Sequence, residues 1–205
     1  MTDRQAPPRR GPTTMALAIA LAACGTGDRA TTTRPAIIMD VAAVNALVPP
    51  GLQAGLVFEQ RNVVIEHNRH EVTYTLVAPR GWAQDGKLFA QLRPPGRSGS
   101  APRLEIGSNC DGRCTAKPWE AVADRVHFAP RARGKVARDD RAPGRRTMIA
   151  AVARDGARTT DVVVAWWSDG DKAYHSCTVT LDDALKDAAP AFAKACQAVA
   201  IEGAD

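Results

Sequence analysis

The chain has 205 residues, a length that suits one domain with appendages. Apolar residues make up 45% of it, enough for a real core, which excludes a wholly disordered chain. Its net charge of +5 is a modest excess spread over a long sequence.

Residues 1–14, MTDRQAPPRRGPTT, are polar and carry Arg4, Arg9 and Arg10. The apolar run Met15–Ala23 follows and ends against Cys24. A basic segment followed by an apolar run of this length reads as an export signal, and it is shorter than the roughly 20 residues a membrane span needs. At its end, Leu21-Ala22-Ala23-Cys24 resembles the lipobox of bacterial lipoproteins. In that family the signal is cut just before the cysteine, whose thiol carries a diacylglyceryl group. The resemblance implies that Cys24 is the lipidation site and that residues 1–23 are a signal peptide. Residues 24–35, small and polar, are then a flexible tether to a single domain spanning 36–205. A short buried helix with an incidental cysteine is the competing reading, and Pro-Arg-Arg-Gly-Pro before the run speaks against it. Arg9-Arg10 invites a twin-arginine reading, but Gly11-Pro12-Thr13 follow where that pattern has apolar residues. The expected location is a bacterial membrane, with the domain facing the periplasm or exterior. Gly25 instead of aspartate after the cysteine favours the outer membrane in a two-membrane cell.

Beyond the tether, Ile37, Val41, Val44 and Val48 recur at helical spacing, and Pro49-Pro50-Gly51 stops that short helix. From Leu56 the pattern turns to strands. LVFEQRNVVIE (56–66) and EVTYTLVA (71–78) flank HNRH, which reads as a hairpin turn. Pro79-Arg80-Gly81-Trp82 ends the second strand, KLFAQL (87–92) forms a third, and 93–102 is an exposed loop rich in Pro, Gly and Ser. RLEIG (103–107) leads into a cysteine loop. Trp119, Val122 and Val126 predict a helix around 117–127 with Pro118 in its first turn. After a basic loop, RRTMIAAVA (145–153), TDVVVAWW (160–167) and AYHSCTVTL (173–181) read as strands. A terminal helix is expected from about Leu181, with Thr180 as its cap, Asp183 close to the capping-box position, and Pro190 kinking or dividing it.

This order of elements makes an α+β sandwich, an antiparallel sheet with helices packed on it and stapled by disulfides. The strand end at Pro79-x-Gly81-Trp82, the middle helix and the closing helix resemble the PsbP-like fold over roughly Leu56 to Val199. That fold serves mainly accessory and binding proteins, so the resemblance implies a non-enzymatic role. It carries over no ligand residue.

With Cys24 set aside, Cys110, Cys114, Cys177 and Cys196 remain, and an even number in an exported chain favours disulfides. Alternation along 173–181 puts Cys177 with Ala173, His175, Val179 and Leu181 on the more apolar face. In the last helix Cys196 shares a stripe with Leu185, Ala189, Phe192 and Val199. A bond between Cys177 and Cys196 pins helix to strand and, closing about 20 residues, contributes roughly 3 kcal/mol. Cys110 and Cys114 then form a staple around Gly112 worth only about 2 kcal/mol. A thiol-redox centre competes with the staple, although its usual motif has two intervening residues and this pair has three. A zinc site of all four cysteines and a crossed pairing also stay open.

Glu66-His67-Asn68-Arg69-His70-Glu71 gathers two histidines and two carboxylates but matches neither HExxH nor its inverse. It reads as a solvated turn; neither a metal nor a cofactor is expected. Residues 131–146, RARGKVARDDRAPGRR, hold seven basic residues against two aspartates. Arg131, Arg133, Lys135, Arg138, Arg141, Arg145 and Arg146 are therefore candidate anion-binding residues, for lipid phosphate or an anionic envelope polymer. A solvated loop is the plain alternative. No aromatic residue is interleaved, so nucleic acid is not expected. Val162–Trp167 is continuously apolar and predicts a central strand covered on both faces. Nothing resembles a nucleophile elbow, a phosphate loop or a dinucleotide fingerprint. The expected function is a membrane-anchored envelope lipoprotein, a binding or accessory module whose partner is an anionic polymer or an envelope protein. A thiol-redox protein using Cys110 and Cys114, and an electrostatic adaptor working through residues 131–146, are the alternatives.

Overall fold

A computed structural model describes residues 37–67, 70–85, 90–97, 99, 101–109, 119–154, 156–168 and 173–202. The lipobox with Cys24, the tether, the tip of the HNRH turn, and Cys110 with Cys114 lie outside the described residues. Residues Ala36–Asp205 form one compact unit.

Helix α1 (Val41–Asn45) begins where the Asp40 carboxylate accepts the Ala43 amide at 2.9 Å. A short 3-10 turn over Pro50–Leu52 follows it. Strands β1 (Phe58–His67) and β2 (His70–Pro79) form the predicted hairpin. The Asn45 amide donates to the Phe58 carbonyl at 3.0 Å and accepts from the Phe58 amide at 2.8 Å, so α1 is tied to the start of β1 as another strand would be. Next come β3 (Ala83–Gln84), β4 (Ala90–Arg93) and β5 (Arg103–Asn109). A helical segment is built of α2 (Trp119–Ala123), a π turn (Asp124–Phe128) and α3 (Ala129–Ala132). Strands β6 (Lys135–Ala142), β7 (Arg145–Arg154), β8 (Ala157–Ser168) and β9 (Ala173–Leu181) follow. Helix α4 (Ala189–Gln197) and β10 (Ala200–Glu202) close the chain. Two antiparallel sheets result, one ordered β1-β2-β10 and the other β3-β4-β5-β9-β8-β7-β6.

The larger sheet is covered on both faces, as the apolar run of β8 predicts. Val162, Val164 and Trp166 join Leu104, Ile106, Val179 and Leu181 in the main core, beneath α4 and the smaller sheet. Val163 and Ala165 point the other way and join Met148, Ala150 and Tyr174 under Ala123 and Phe128 of the helical segment. On α4 the small residues Ala189, Ala191, Ala193 and Ala195 are buried, which brings the helix close to the sheet. Phe192 fills the gap to the smaller sheet, edge-on to Phe58 at 5.0 Å. Cys177 and Cys196 are bonded, with Cα atoms 5.4 Å apart, and fix α4 to β9 as the stripe pattern requires.

Three elements depart from expectation. Thr180 lies within β9 and caps nothing; it is the Asp182 carboxylate that accepts the Leu185 amide at 3.2 Å. The helix proper starts at Ala189, and Pro190 sits in its first turn, where a missing amide costs nothing, instead of dividing it. The middle helix widens into a π turn just before Pro130, where the Ala129 amide reaches back to the Asp124 carbonyl. Proline has no amide to continue an α-helical ladder, and the wider turn absorbs that loss. The extra residue rotates the helix, so Val126 ends exposed while Phe128 and Arg131 turn inward.

Candidate functional site

The basic run folds as a helix end and a strand, not as the expected loop. Gly134 makes the junction: a Cβ there would stand 2.2 Å from the Ala151 carbonyl oxygen, so only glycine lets α3 pass into β6 this close to β7. Strand β6 pairs with β7 through a register shift between Val136 and Arg138, and the chain returns at Gly144, whose φ of 70° suits glycine. Every residue of β6 is exposed. A strand with no buried face carries no alternation, which is why its sequence looked like loop.

Register then sorts the seven cations. Arg141 stands opposite Arg146 and Asp139 opposite Met148, so these four share the face under the helical segment. There the Arg146 guanidinium grips Asp139 with two nitrogens, at 2.8 and 3.0 Å, and reaches Asp124 with the third at 2.6 Å. It also lies 4.1 Å above the Phe128 ring. The Arg146 hydrogen bonds hold the Asp139 carboxyl below its ordinary pKa, and Asp139 in turn raises that of Arg146. Arg141 leans on Asp139 at 3.4 Å, and Arg138 pairs with Asp140 two residues along its own strand.

Arg131 is buried. Its Nε donates to the fully buried Asp161 of β8 at 2.8 Å, and Nη1 donates to the His127 carbonyl at 2.6 Å. Thus Arg131 and Arg146 seat the helical segment on the sheet, while Arg138 and Arg141 stay at the surface beside aspartates of their own strand. The seven candidate cations do not form one uniform patch.

Arg133, Lys135 and Arg145 are exposed and have no ion pair among the described residues. Lys135 on β6 stands opposite Ala151, and Arg158 on β8 stands opposite Ala153. The two cations therefore straddle β7 with alanines between them, and Arg133 closes the end nearest α3. The result is an open groove of about 640 Å³ whose other lining residues are Pro130, Gly134 and Val152. Arg158 lay outside the basic run, and only strand register brings it here.

On the opposite face a cleft of about 340 Å³ runs between Trp119, Glu120, Asp124 and Phe128 and the Arg141–Arg146 end of the hairpin. Its charges are mixed, and the Arg146–Asp124 pair spans it. Below lie His127 and Tyr174, ring centroids 6.1 Å apart. The His127 Nε2 and Tyr174 hydroxyl are buried without hydrogen-bond partners among the described residues. Burial, helped by the Arg131 charge, pushes His127 down to about 4, and burial pushes Tyr174 up, so both are neutral at pH 7. Among the described residues no group of His, Cys, Asp or Glu is arranged to hold a metal ion, and no helix is long and apolar enough to cross a membrane. No family model matches the chain, and no curated protein matches it either.

Proposed function

We propose that this chain is an exported lipoprotein, cut before Cys24, held on a bacterial membrane by that acylated cysteine, and acting in the cell envelope as a non-enzymatic binding or accessory module. The observation that carries the reading is the Cys177–Cys196 bond. Both cysteines are buried in the main core, so the oxidised pair is part of the packed structure and not a surface accident. Structural disulfides belong to oxidising compartments, which an export signal reaches. The sequence Leu21-Ala22-Ala23-Cys24 supplies both the export signal and the anchoring thiol. Two or more acyl chains hold a protein stably on a bilayer, each buried methylene adding about 0.8 kcal/mol. The tether of residues 24–35 then leaves the domain free to meet its partner.

Metabolic labelling with radioactive palmitate tests this. Label is expected in the wild-type chain and absent from Cys24→Ala, which should also keep residues 1–23 and run as the larger, unprocessed form. An unlabelled wild-type chain, or label that survives Cys24→Ala, refutes the anchor.

A further inference from the structure

We infer that the groove of Arg133, Lys135 and Arg158 docks the domain on the phosphate-bearing face of an anionic bilayer. The choice of that surface rests on the lipid-anchored reading; the groove itself does not. Charge is the first argument. Elsewhere on the hairpin Arg138 pairs with Asp140, and Arg141 and Arg146 with Asp139, while Arg145 stands apart from the groove at the turn. In the groove three cations meet with no carboxylate among the described lining residues. The Lys186 ammonium lies near enough to Arg158 for their charges to interact, but Asp183 holds it at 2.9 Å, so that pair adds no net charge.

Shape and composition select among anionic partners. Ala151 and Ala153 are too short to fill the space between the flanking strands, so Lys135 and Arg158 stand at its two lips, two strand spacings or about 10 Å apart. That separation suits several phosphates spread over a surface. A single enclosed ion needs converging buried donors, and here all three cations are exposed. The lining has no aromatic ring to stack on a base or sugar, and no Asn, Gln, Ser or Thr to read hydroxyl groups. What it offers is positive charge over a small apolar floor, which matches headgroup phosphates and not a polysaccharide chain.

The test uses the processed chain, residues 24–205, carrying Cys24→Ala, so that neither acylation nor the basic and apolar residues 1–23 contribute. It is sedimented at physiological ionic strength with phosphatidylcholine vesicles, with and without phosphatidylglycerol. Binding is expected only to the anionic vesicles. Arg133→Ala, Lys135→Ala and Arg158→Ala should each weaken it about fivefold, and the triple variant about 100-fold. Arg138→Ala with Arg141→Ala removes two positive charges from the same hairpin, more than any single groove variant, and should change binding less than about twofold at this screening. Thermal melts confirm that each variant is folded. Equal binding to neutral vesicles, an undiminished triple variant, or an equal loss in the Arg138/Arg141 pair overturns the inference. So does binding to soluble anionic polysaccharide or inorganic phosphate without binding to vesicles. Because palmitate labelling is read on the unmutated chain, an anchor that fails there leaves this result to stand or fall alone.

Discussion

Replacing Arg131 by alanine should unfold a large share of the molecule's stability, although the residue lies in what reads as a surface run. Asp161 is fully buried and Arg131 is 8% exposed, so their 2.8 Å contact is shielded from water. Removing the guanidinium takes the Arg131 cation away from a buried carboxylate and one donor away from the His127 carbonyl. Breaking one side of such a pair costs about 3–5 kcal/mol, against a typical domain stability of about 5–15 kcal/mol. Removing both partners is a different perturbation. Arg131→Met with Asp161→Leu abolishes this pair of buried charges together, and the residual loss should be under about 2 kcal/mol, mostly the lost hydrogen bond to the His127 carbonyl. Urea denaturation followed by tryptophan fluorescence measures both, and the singles Arg131→Met and Asp161→Leu close a cycle with the double, with a coupling above about 2 kcal/mol. A loss below about 1 kcal/mol in Arg131→Ala, or additive single effects, would show that water reaches the pair and that α3 is not anchored to β8 as described.

Two further perturbations probe the same layer. His127 titrates near 4 in the fold and at 6.5 when free, so between those values the unfolded chain takes up a proton that the folded one excludes. Its contribution is therefore complete above pH 6.5 and is lost as pH falls toward 4, by at most about 3 kcal/mol. His127→Phe should flatten that part of the stability–pH curve; an unchanged slope refutes the assignment. Gly134→Ala forces its new methyl against the Ala151 carbonyl and should cost about 1–3 kcal/mol in chemical denaturation. An alanine variant as stable as the wild type would mean the junction is looser than the 2.2 Å approach implies.

The legible parts of this fold were those where one stretch of sequence answers to one environment. Val162–Trp167 is apolar at every position because β8 is buried on both faces, and it needs no knowledge of its neighbours to be recognised. Cys177 and Cys196 were paired correctly because each sits in a local pattern, alternation in β9 and a stripe through α4, that fixes the way it points. The basic run failed this test twice. With no buried face, β6 gives no periodic signal, and charge density says nothing about which cations have partners. Asp124 and Asp161 lie on other elements, and the pairings of Arg146 and Arg131 exist only after the helical segment docks. Arg158 was missed for the complementary reason. It is unremarkable in its own stretch and becomes part of a site only because β8 lies two strands from β6. The π turn was hidden too, since Trp119, Val122 and Val126 keep ordinary helical spacing and carry no sign that the turn before Pro130 widens.

The exposure of β6 along its whole length has a consequence wherever copies of the chain meet. An outermost strand of eight residues presents amides and carbonyls on which a second copy's sheet can grow. Here that border is spoiled as a template. Lys135, Arg138, Asp139, Asp140 and Arg141 line it with charge, and the register break after Val136 bends it away from a straight partner. The opposite border, β3, is only two residues long. The carboxylates that pair with Arg138 and Arg141 therefore serve a second purpose: with their arginines they keep neighbouring copies from knitting into one continuous sheet.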